Sequence, residues 1–271
     1  AVGPFKDNKP GANRSSVFAL YDSSKYSMTL DLRQPQAIEI VKKLVAKSDI
    51  VVESFRAGVI KKMGLGYEEL CQVKPDIIML SCTIYGQTGP ASVQAMLGTF
   101  FQSQAGVTHF IGWPDRPPVV VPNPYTDYHA PWIALSAVLS ALDYRRRTGK
   151  GQYIDVSQIE STPHFMGPVI MDYLVNGREQ NRAGNRCSYA APHGVFRCQG
   201  DERWCAIAVF NNEEWMGFCR AMGNPSWVKD EKFSTLLAMK ENEDELERKI
   251  EEYTVNHAAE DVVAAMHHEG V

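Results

Sequence analysis

The sequence has no excess of positive charge, no long apolar run and no paired cysteine motif. Its 271 residues carry 28 Lys and Arg against 32 Asp and Glu, a formal net charge of -4. This balance argues against a protein that binds nucleic acid through its charge. The apolar runs, such as 50–52 and 77–80, are broken well before the ~20 residues that cross a bilayer. We therefore expect neither a nucleic-acid partner nor a membrane partner.

The N-terminus also lacks the basic region and apolar stretch of a signal peptide. The cysteines are scattered, without a CxxC pair or a histidine at zinc-finger spacing: Cys71, Cys82, Cys187, Cys198, Cys205 and Cys219. Isolated cysteines in apolar segments are expected to be reduced, buried thiols of a cytoplasmic protein. The sequence therefore predicts no bound metal.

Short apolar strands alternate with helices in the first part of the chain. We predict strands at Ser27–Leu32, 49–55 and 77–82, with a short helix at Tyr67–Val73. This alternation is typical of a parallel sheet covered by helices on both faces. The fold class expected for this part is therefore α/β.

The later part of the chain predicts a second, smaller unit. A long helix at 130–147, a strand at 153–156 and a helix at 159–175 complete the first layer, and a hairpin around Gly200-Asp201 is followed by three helices. A polar stretch rich in Asn, Arg and Gln separates the two. We predict a large domain at 1–176, a linker at 177–190 and a small α+β domain at 191–271.

Asp127 is the most promising carboxylate for catalysis. It lies between aromatic residues, after a proline-rich loop and just before the long predicted helix. The carboxylate could cap this helix, or it could be a nucleophile or base held at the helix start. A dyad with His129 is not expected, because residues i and i+2 do not face each other on a helix.

A candidate ligand-binding loop follows the strand at 49–55. Ser54-Phe55-Arg56-Ala57-Gly58 lies at the carboxyl end of that strand, where open α/β sheets usually bind ligands. Lys61 and Lys62 could meet phosphates or form a solvated surface. The glycines at 149 and 151 end a helix and therefore do not form a phosphate-binding loop.

Several stretches together resemble the class III (CaiB/BaiF-type) CoA-transferases. SKYSMTLDL stands where the family has NKRSxxLDL, and DIVVESFRAG is similar to DVxxENFRPG. The remaining matches are MGLGYEEL, YGQTGP, the Thr126-Asp127 pair and RTGKGQYIDVS. Their order and spacing along most of the chain make the resemblance specific.

This resemblance implies a Rossmann-like large domain with a smaller α+β domain, and an interlaced dimer formed with a second copy or with a related subunit. Asp127 matches the family's nucleophile, which attacks an acyl-CoA thioester and passes CoA to a carboxylic acid through an anhydride and an aspartyl-CoA thioester. CoA is then a substrate, and no permanently bound cofactor is expected. Lys25, Ser54, Phe55 and Lys62 match CoA contacts, although Ser54 replaces the usual Asn and Lys62 a frequent Arg.

Two alternatives remain open. The α-methylacyl-CoA racemases share the aspartate, but their second acid/base is a histidine ahead of the glycine region, where this chain has Met96-Leu97-Gly98. A non-catalytic subunit of a heteromeric transferase could keep Asp127 as a structural residue. The resemblance further implies that N- and C-terminal portions of the family's fold are missing. The stretch at 112–116 looks closer to the benzylsuccinate CoA-transferase subgroup than to formyl-CoA transferase.

Overall fold

The computed structural model describes residues 3–95, 98–121 and 123–271. These residues form two compact units. The sheet unit comprises the described residues up to Ala95 together with Pro131–Ser157, and the hairpin unit comprises residues 98–130 together with Gln158–Val271. The domain boundaries inferred from the sequence, at 176 and 190, stay a prediction, and the two units divide the chain at other positions.

The elements alternate as expected for a mixed α/β chain. The strands are β1 Ile50–Glu53, β2 Ile78–Thr83, β3 Tyr153–Ser157, β4 His193–Arg197 and β5 Trp204–Ala208. The helices are α1 Ser16–Tyr21, α2 Pro35–Val45, α3 Val59–Lys62, α4 Tyr67–Val73, α5 Gly98–Gln104, α6 Tyr125–Thr148, α7 Gln158–Ser161, α8 Gly167–Asn176, α9 Asn212–Ala221, α10 Leu236–Glu241, α11 Glu243–Thr254 and α12 Ala259–His268.

The sheet unit is built on three parallel strands in the order β1-β2-β3. The central strand β2 is buried along nearly its whole length, and its successive side chains enter two different cores. Met79 packs with Val45, Leu65 and Leu70. Leu80, one residue later, packs with residues of α6 and β3, including Ala134, Val138 and Val156. Both faces of the sheet are therefore covered, which explains the continuous apolar run in this strand.

Most of the elements predicted from the sequence are present in the sheet unit, and one is not. The helix at Tyr67–Val73 is confirmed, and the strands predicted at 49–55 and 77–82 are confirmed as the shorter β1 and β2. The strand predicted at Ser27–Leu32 is wrong, because this segment is irregular and largely exposed. Alternating side chains produce a strand only where a neighbouring strand takes up the backbone hydrogen bonds.

The hairpin unit has its own core. β4 and β5 pair in an antiparallel ladder, and α9, α11 and α12 contribute the fully or nearly fully buried Phe218, Leu246, Ile250 and Val262. The predicted hairpin and the three helices after it are confirmed. The single helix predicted at 159–175 is interrupted, because Pro163 and Pro168 have no N–H for helical hydrogen bonds.

Helix α6 begins at Tyr125, five residues before its predicted start, and it contains Pro131. No helix in the described part of the chain is both long and apolar enough to cross a membrane. The six cysteines all lie among the described residues and form no disulfide bond: Cys198, Cys205 and Cys219 are buried, and the other three are partly exposed.

Gly151 provides a test of the packing between the end of α6 and the sheet. A Cβ atom on Gly151 would lie 2.0 Å from the Ile77 carbonyl oxygen, which is a severe steric clash. We expect Gly151→Ala to lower the free energy of unfolding by about 3 kcal/mol. Gly149→Ala, at a φ of +74° with open space around its Cβ position, should lower it by only about 1 kcal/mol. Urea unfolding measures both values, and equal losses would contradict the packing described here.

Candidate active site

Asp127 lies in the first turn of helix α6, as its third residue. Its backbone N–H donates to the Pro124 carbonyl oxygen at 2.9 Å. The carboxylate stands at the positive end of a 24-residue helix, where the helix dipole favours a negative charge. The alternative in which Asp127 is the residue that caps the helix is wrong. The helix starts directly after Pro124, two residues ahead of Asp127, so Asp127 is already inside it.

A hydrogen-bonded chain of buried groups links this turn to helix α7. His129 Nε2 lies 2.9 Å from Thr162 Oγ1, and the Thr162 hydroxyl donates to the Gln158 carbonyl oxygen, also at 2.9 Å. A hydroxyl has one hydrogen to donate, so His129 Nε2 must carry the hydrogen of the other bond. This arrangement fixes the His129 tautomer and ties the first turn of α6 to the residue that begins α7.

His129 is neutral at pH 7, because burial lowers the pKa of its imidazole. Its Nδ1 is then an unprotonated acceptor, and it has no hydrogen-bond partner among the described residues. The ring packs against Tyr125 and Phe165, with centroid distances of 5.0 Å and 4.7 Å. No described hydrogen bond joins His129 to the Asp127 carboxylate, and His129 Nε2 is instead paired with Thr162. The expectation that His129 and Asp127 do not form a dyad stays a prediction.

Two opposing effects act on the Asp127 carboxylate. Burial raises the pKa of Asp127, and a hydrogen bond from the Gln158 side chain lowers it, with burial the larger effect. An ionised carboxylate can only accept, so the Gln158 Nε2 amide is the donor. Gln158 Oε1 is buried and has no partner among the described residues. Asp127 is therefore a partly desolvated carboxylate, which makes it more basic than an exposed one.

The four candidate CoA contacts all lie in the sheet unit, whereas Asp127 lies in the hairpin unit. Ser54 and Phe55 directly follow β1. Lys62 is the last residue of α3, the helix that follows the 54–58 loop. All three are exposed. Lys25 lies in the irregular segment after α1, where its Nζ donates to the Tyr21 carbonyl oxygen at 2.6 Å and lies 3.4 Å from Asp22 Oδ1.

Sequence reasoning missed the residues that hold these groups in place. Gln158 and Thr162 gave no signal, because their role depends on the packing of α7 and the turn after it near the start of α6. Gln87 stood inside the quoted YGQTGP stretch without an assigned role. It makes hydrogen bonds to the loop that carries Ser54 and Phe55.

Two sequence observations fall partly on residues without a described placement. Met96 and Leu97, on which the argument against a racemase depends, lie outside the described residues, as does Pro122 of the proline-rich loop. The described part of helix α5 contains no histidine. The sequence argument against a racemase therefore stays a prediction.

Comparison with known proteins identifies the family. The sequence profile described as CoA-transferase family III matches residues 1–271. The chain is 34% identical over 248 residues to a succinyl-CoA–D-citramalate CoA-transferase of Chloroflexus aurantiacus, covering 92% of this chain and 61% of that protein. It is 31% identical over 260 residues to an acetyl-CoA:oxalate CoA-transferase of Acetobacter aceti, covering 96% and 66%.

A solved structure agrees with these matches. A CaiB/BaiF family protein from Brucella suis superposes with a TM-score of 0.83 at 32% identity, covering 91% of this chain and 65% of that one. The chain thus belongs to CoA-transferase family III, and the predicted family and α/β fold are confirmed. It spans less than two thirds of the length of these relatives.

The raised pKa of Asp127 predicts a gain in stability when its charge is removed. In the unfolded chain an aspartate has a pKa of about 3.9. Because folding raises the pKa, the ionised carboxylate lowers the free energy of unfolding at neutral pH, and this penalty fades as the pH falls toward the unfolded pKa. We expect Asp127→Asn to raise the melting temperature at pH 7.5 by roughly 1–3 °C, and by less at pH 5.

Asp143→Asn is the matched control for this experiment. Asp143 lies on the same helix, is exposed and pairs with Arg147 at 2.8 Å. Exposed pairs contribute little, so this variant should melt within about 1 °C of the unchanged protein at both pH values. An Asp127→Asn variant that melts at or below the unchanged protein at pH 7.5 would show that the carboxylate is not held in a desolvated site.

Proposed function

We propose that this protein transfers CoA between carboxylic acids and that Asp127 is its nucleophile. One observation carries this proposal: a half-buried carboxylate with a raised pKa lies in the first turn of α6, in a member of CoA-transferase family III. A carboxylate of this kind is a better nucleophile than an exposed one, and it stands at the end of the helix that favours negative charge.

The reaction would begin with the donor acyl-CoA. An Asp127 carboxylate oxygen attacks the thioester carbonyl, and CoA leaves as a thiolate, so that the acyl group is held in a mixed anhydride with Asp127. The thiolate then attacks the Asp127 carbonyl carbon of the anhydride. The donor acid leaves as a carboxylate, and CoA is joined to Asp127 as a thioester.

The second half repeats these steps in reverse order with the acceptor. The acceptor carboxylate attacks the Asp127 thioester carbonyl, and CoA thiolate leaves, which gives a new anhydride. The thiolate attacks the acceptor's carbonyl carbon and releases Asp127 as a carboxylate. Negative charge develops beside Asp127 in each step, and the positive end of α6 supports it without rearrangement.

Gln158 has a defined part in this scheme. Its side chain donates a hydrogen bond to the Asp127 carboxylate. The bond to one oxygen would leave the other free to attack the thioester. The His129–Thr162 bonds would hold the backbone of Gln158 in place. Orientation by neighbouring groups of this kind is a usual source of catalytic rate.

Lys25, Ser54, Phe55 and Lys62 are proposed to bind CoA. Phe55 is exposed beside the end of β1 and would stack on the adenine ring, with the two lysines facing the phosphates. Of the relatives above, one is named for succinyl-CoA and D-citramalate and one for acetyl-CoA and oxalate, so succinyl-CoA and acetyl-CoA are the first donors to test. An interlaced dimer, with a second copy or a related subunit, and a cytoplasmic location are part of the same proposal.

Trapping the intermediate tests the nucleophile. Full-length protein is incubated with succinyl-CoA and other acyl-CoA donors in the presence of hydroxylamine, which converts an aspartyl thioester to a stable hydroxamate. We expect intact-protein mass spectrometry to show a modified protein and peptide mapping to place the hydroxamate on Asp127. Asp127→Ala should remain unmodified, because it has no carboxylate to form the thioester.

Asp143→Ala, on the exposed side of the same helix, is the control and should be modified like the unchanged protein. Modification of Asp127→Ala at an equal rate would disprove the assignment. Binding of CoA with no adduct from any donor would favour a non-catalytic subunit. Exchange of the α-proton of an acyl-CoA into deuterated solvent would favour a racemase.

Lys62 tests the proposed CoA site. It has no ion-pair partner among the described residues, whereas the adjacent Lys61 pairs with Glu68 at 3.1 Å. We expect Lys62→Ala to raise the KM for the acyl-CoA donor about three- to tenfold, with kcat nearly unchanged, and Lys62→Arg to restore it. Lys61→Ala should have little effect. Steady-state kinetics at low and moderate salt measure this, and equal effects of the two alanine variants would remove Lys62 from the site.

A further inference from the structure

The side chain of Gln87 makes several hydrogen bonds to the end of β1 and to the loop that follows it. Gln87 Oε1 accepts a hydrogen bond from the Gly58 backbone N–H at 3.1 Å, and Gln87 Nε2 donates to Glu53 Oε1 at 3.2 Å. Gln87 Nε2 also lies 3.5 Å from the Phe55 carbonyl oxygen. One side chain thus joins the last residue of β1 to both ends of the turn that follows it.

Glu53 makes this attachment unusually specific. It is only 6% exposed, and its second oxygen accepts from the Phe55 backbone N–H at 2.8 Å. A buried carboxylate must be hydrogen-bonded, and each of these donors faces one of its oxygens. Because the Glu53 carboxylate can only accept, the Gln87 amide must face it with Nε2. Gln87 Oε1 then faces the Gly58 N–H.

The backbone of Gln87 is fixed as well. Its N–H donates to both carboxylate oxygens of Asp155 on β3, at 3.1 and 2.9 Å. The preceding Gly86 has a φ of +77°, and the Asp155 carboxylate lies about 3.4 Å from where its Cβ would be. Gln87 thus connects β3 to the loop after β1 across the carboxyl edge of the sheet.

The outward side of this loop stays open. The inward groups of the turn are occupied by Glu53 and Gln87, while Ser54, Phe55 and Arg56 are exposed. Arg56 has no ion-pair partner among the described residues. A loop held in one conformation before the ligand arrives loses less entropy on binding, and this strengthens affinity without any new contact.

We propose that Gln87 is a positioning residue for CoA: through Glu53 and Gly58 it holds the 54–58 loop in the conformation that binds the nucleotide part of acyl-CoA. This inference rests on the proposed function. It assigns no contact between Gln87 and the substrate. It requires that the affinity for CoA falls when the side chains at positions 53 and 87 can no longer form their hydrogen bond.

A charge exchange tests this matching. Gln87→Glu places a carboxylate against Glu53 and removes the donor, and Glu53→Gln places an amide N–H2 against the Phe55 N–H or against Gln87. The double variant Glu53→Gln/Gln87→Glu restores the pairings that join positions 53, 55, 58 and 87, and loses only the long 3.5 Å contact from position 87 to the Phe55 carbonyl oxygen. The new amide at position 53 accepts from Phe55 and donates to the new carboxylate at position 87, which still accepts from Gly58.

We expect each single variant to weaken CoA binding about tenfold or more, and the double variant to return within about threefold of the unchanged protein. Isothermal titration calorimetry with free CoA on the full-length protein gives the affinities. Steady-state kinetics should show the single variants raising the KM for acyl-CoA with kcat at saturation nearly unchanged. Gln72→Ala, an exposed residue of α4, is the control and should bind CoA normally.

The outcomes are distinguishable. Single variants that bind CoA like the unchanged protein would overturn the role of Gln87 while leaving the proposed function in place. Weakened single variants without recovery in the double variant, at unchanged melting temperatures, would also overturn it, because the effect would not come from this pairing. An unchanged protein that binds no CoA would overturn both the inference and the proposed function.

Discussion

The partial burial of the Asp127 carboxylate is the constraint on which the account of this protein depends. A charge removed from water is destabilising unless hydrogen bonds compensate, and here the compensation from Gln158 is smaller than the effect of burial. A fold selected for stability alone would place a neutral side chain at this position. The hydrogen bonds from His129 to Thr162 and on to the Gln158 backbone strengthen the surroundings of this unfavourable charge. Such an arrangement is typical of a site where stability is given up for reactivity.

The parallel sheet positions the residues of the proposed CoA site. Parallel pairing brings the carboxyl ends of β1, β2 and β3 to one edge, so the loop after β1, the turn after β2 and Asp155 of β3 become neighbours. Gln87 lies in the turn after β2. Its side chain bonds to the loop after β1, and its backbone N–H bonds to Asp155 of β3. The buried Glu53 then selects the orientation of the amide. The loop is shaped by contacts that lie beneath it, and its exposed face is left for a ligand.

Much of this organisation follows from local sequence. The apolar run at 77–82 predicts a buried central strand, and the Gly200-Asp201 turn predicts a hairpin. The family motifs predict Asp127 as the nucleophile and the 54–58 loop as a CoA contact. Other features depend on partners distant in sequence. Among the described residues, the alternation at Ser27–Leu32 has no neighbouring strand to pair with. Gln158 and Gln87 act through residues 31 and 34 positions away, as well as through nearer ones. No periodicity or spacing within a single segment reports such contacts.

The central claim, that Asp127 carries CoA covalently, is tested most directly by following oxygen. In the proposed reaction the acceptor carboxylate attacks the Asp127 thioester, and CoA then takes the acceptor's acyl group, so one acceptor oxygen is left on Asp127. After turnover with an acyl-CoA donor and an acceptor acid labelled with ¹⁸O in its carboxylate, the account predicts ¹⁸O in the peptide that contains Asp127. Formation of the product acyl-CoA with no label in that peptide would contradict it.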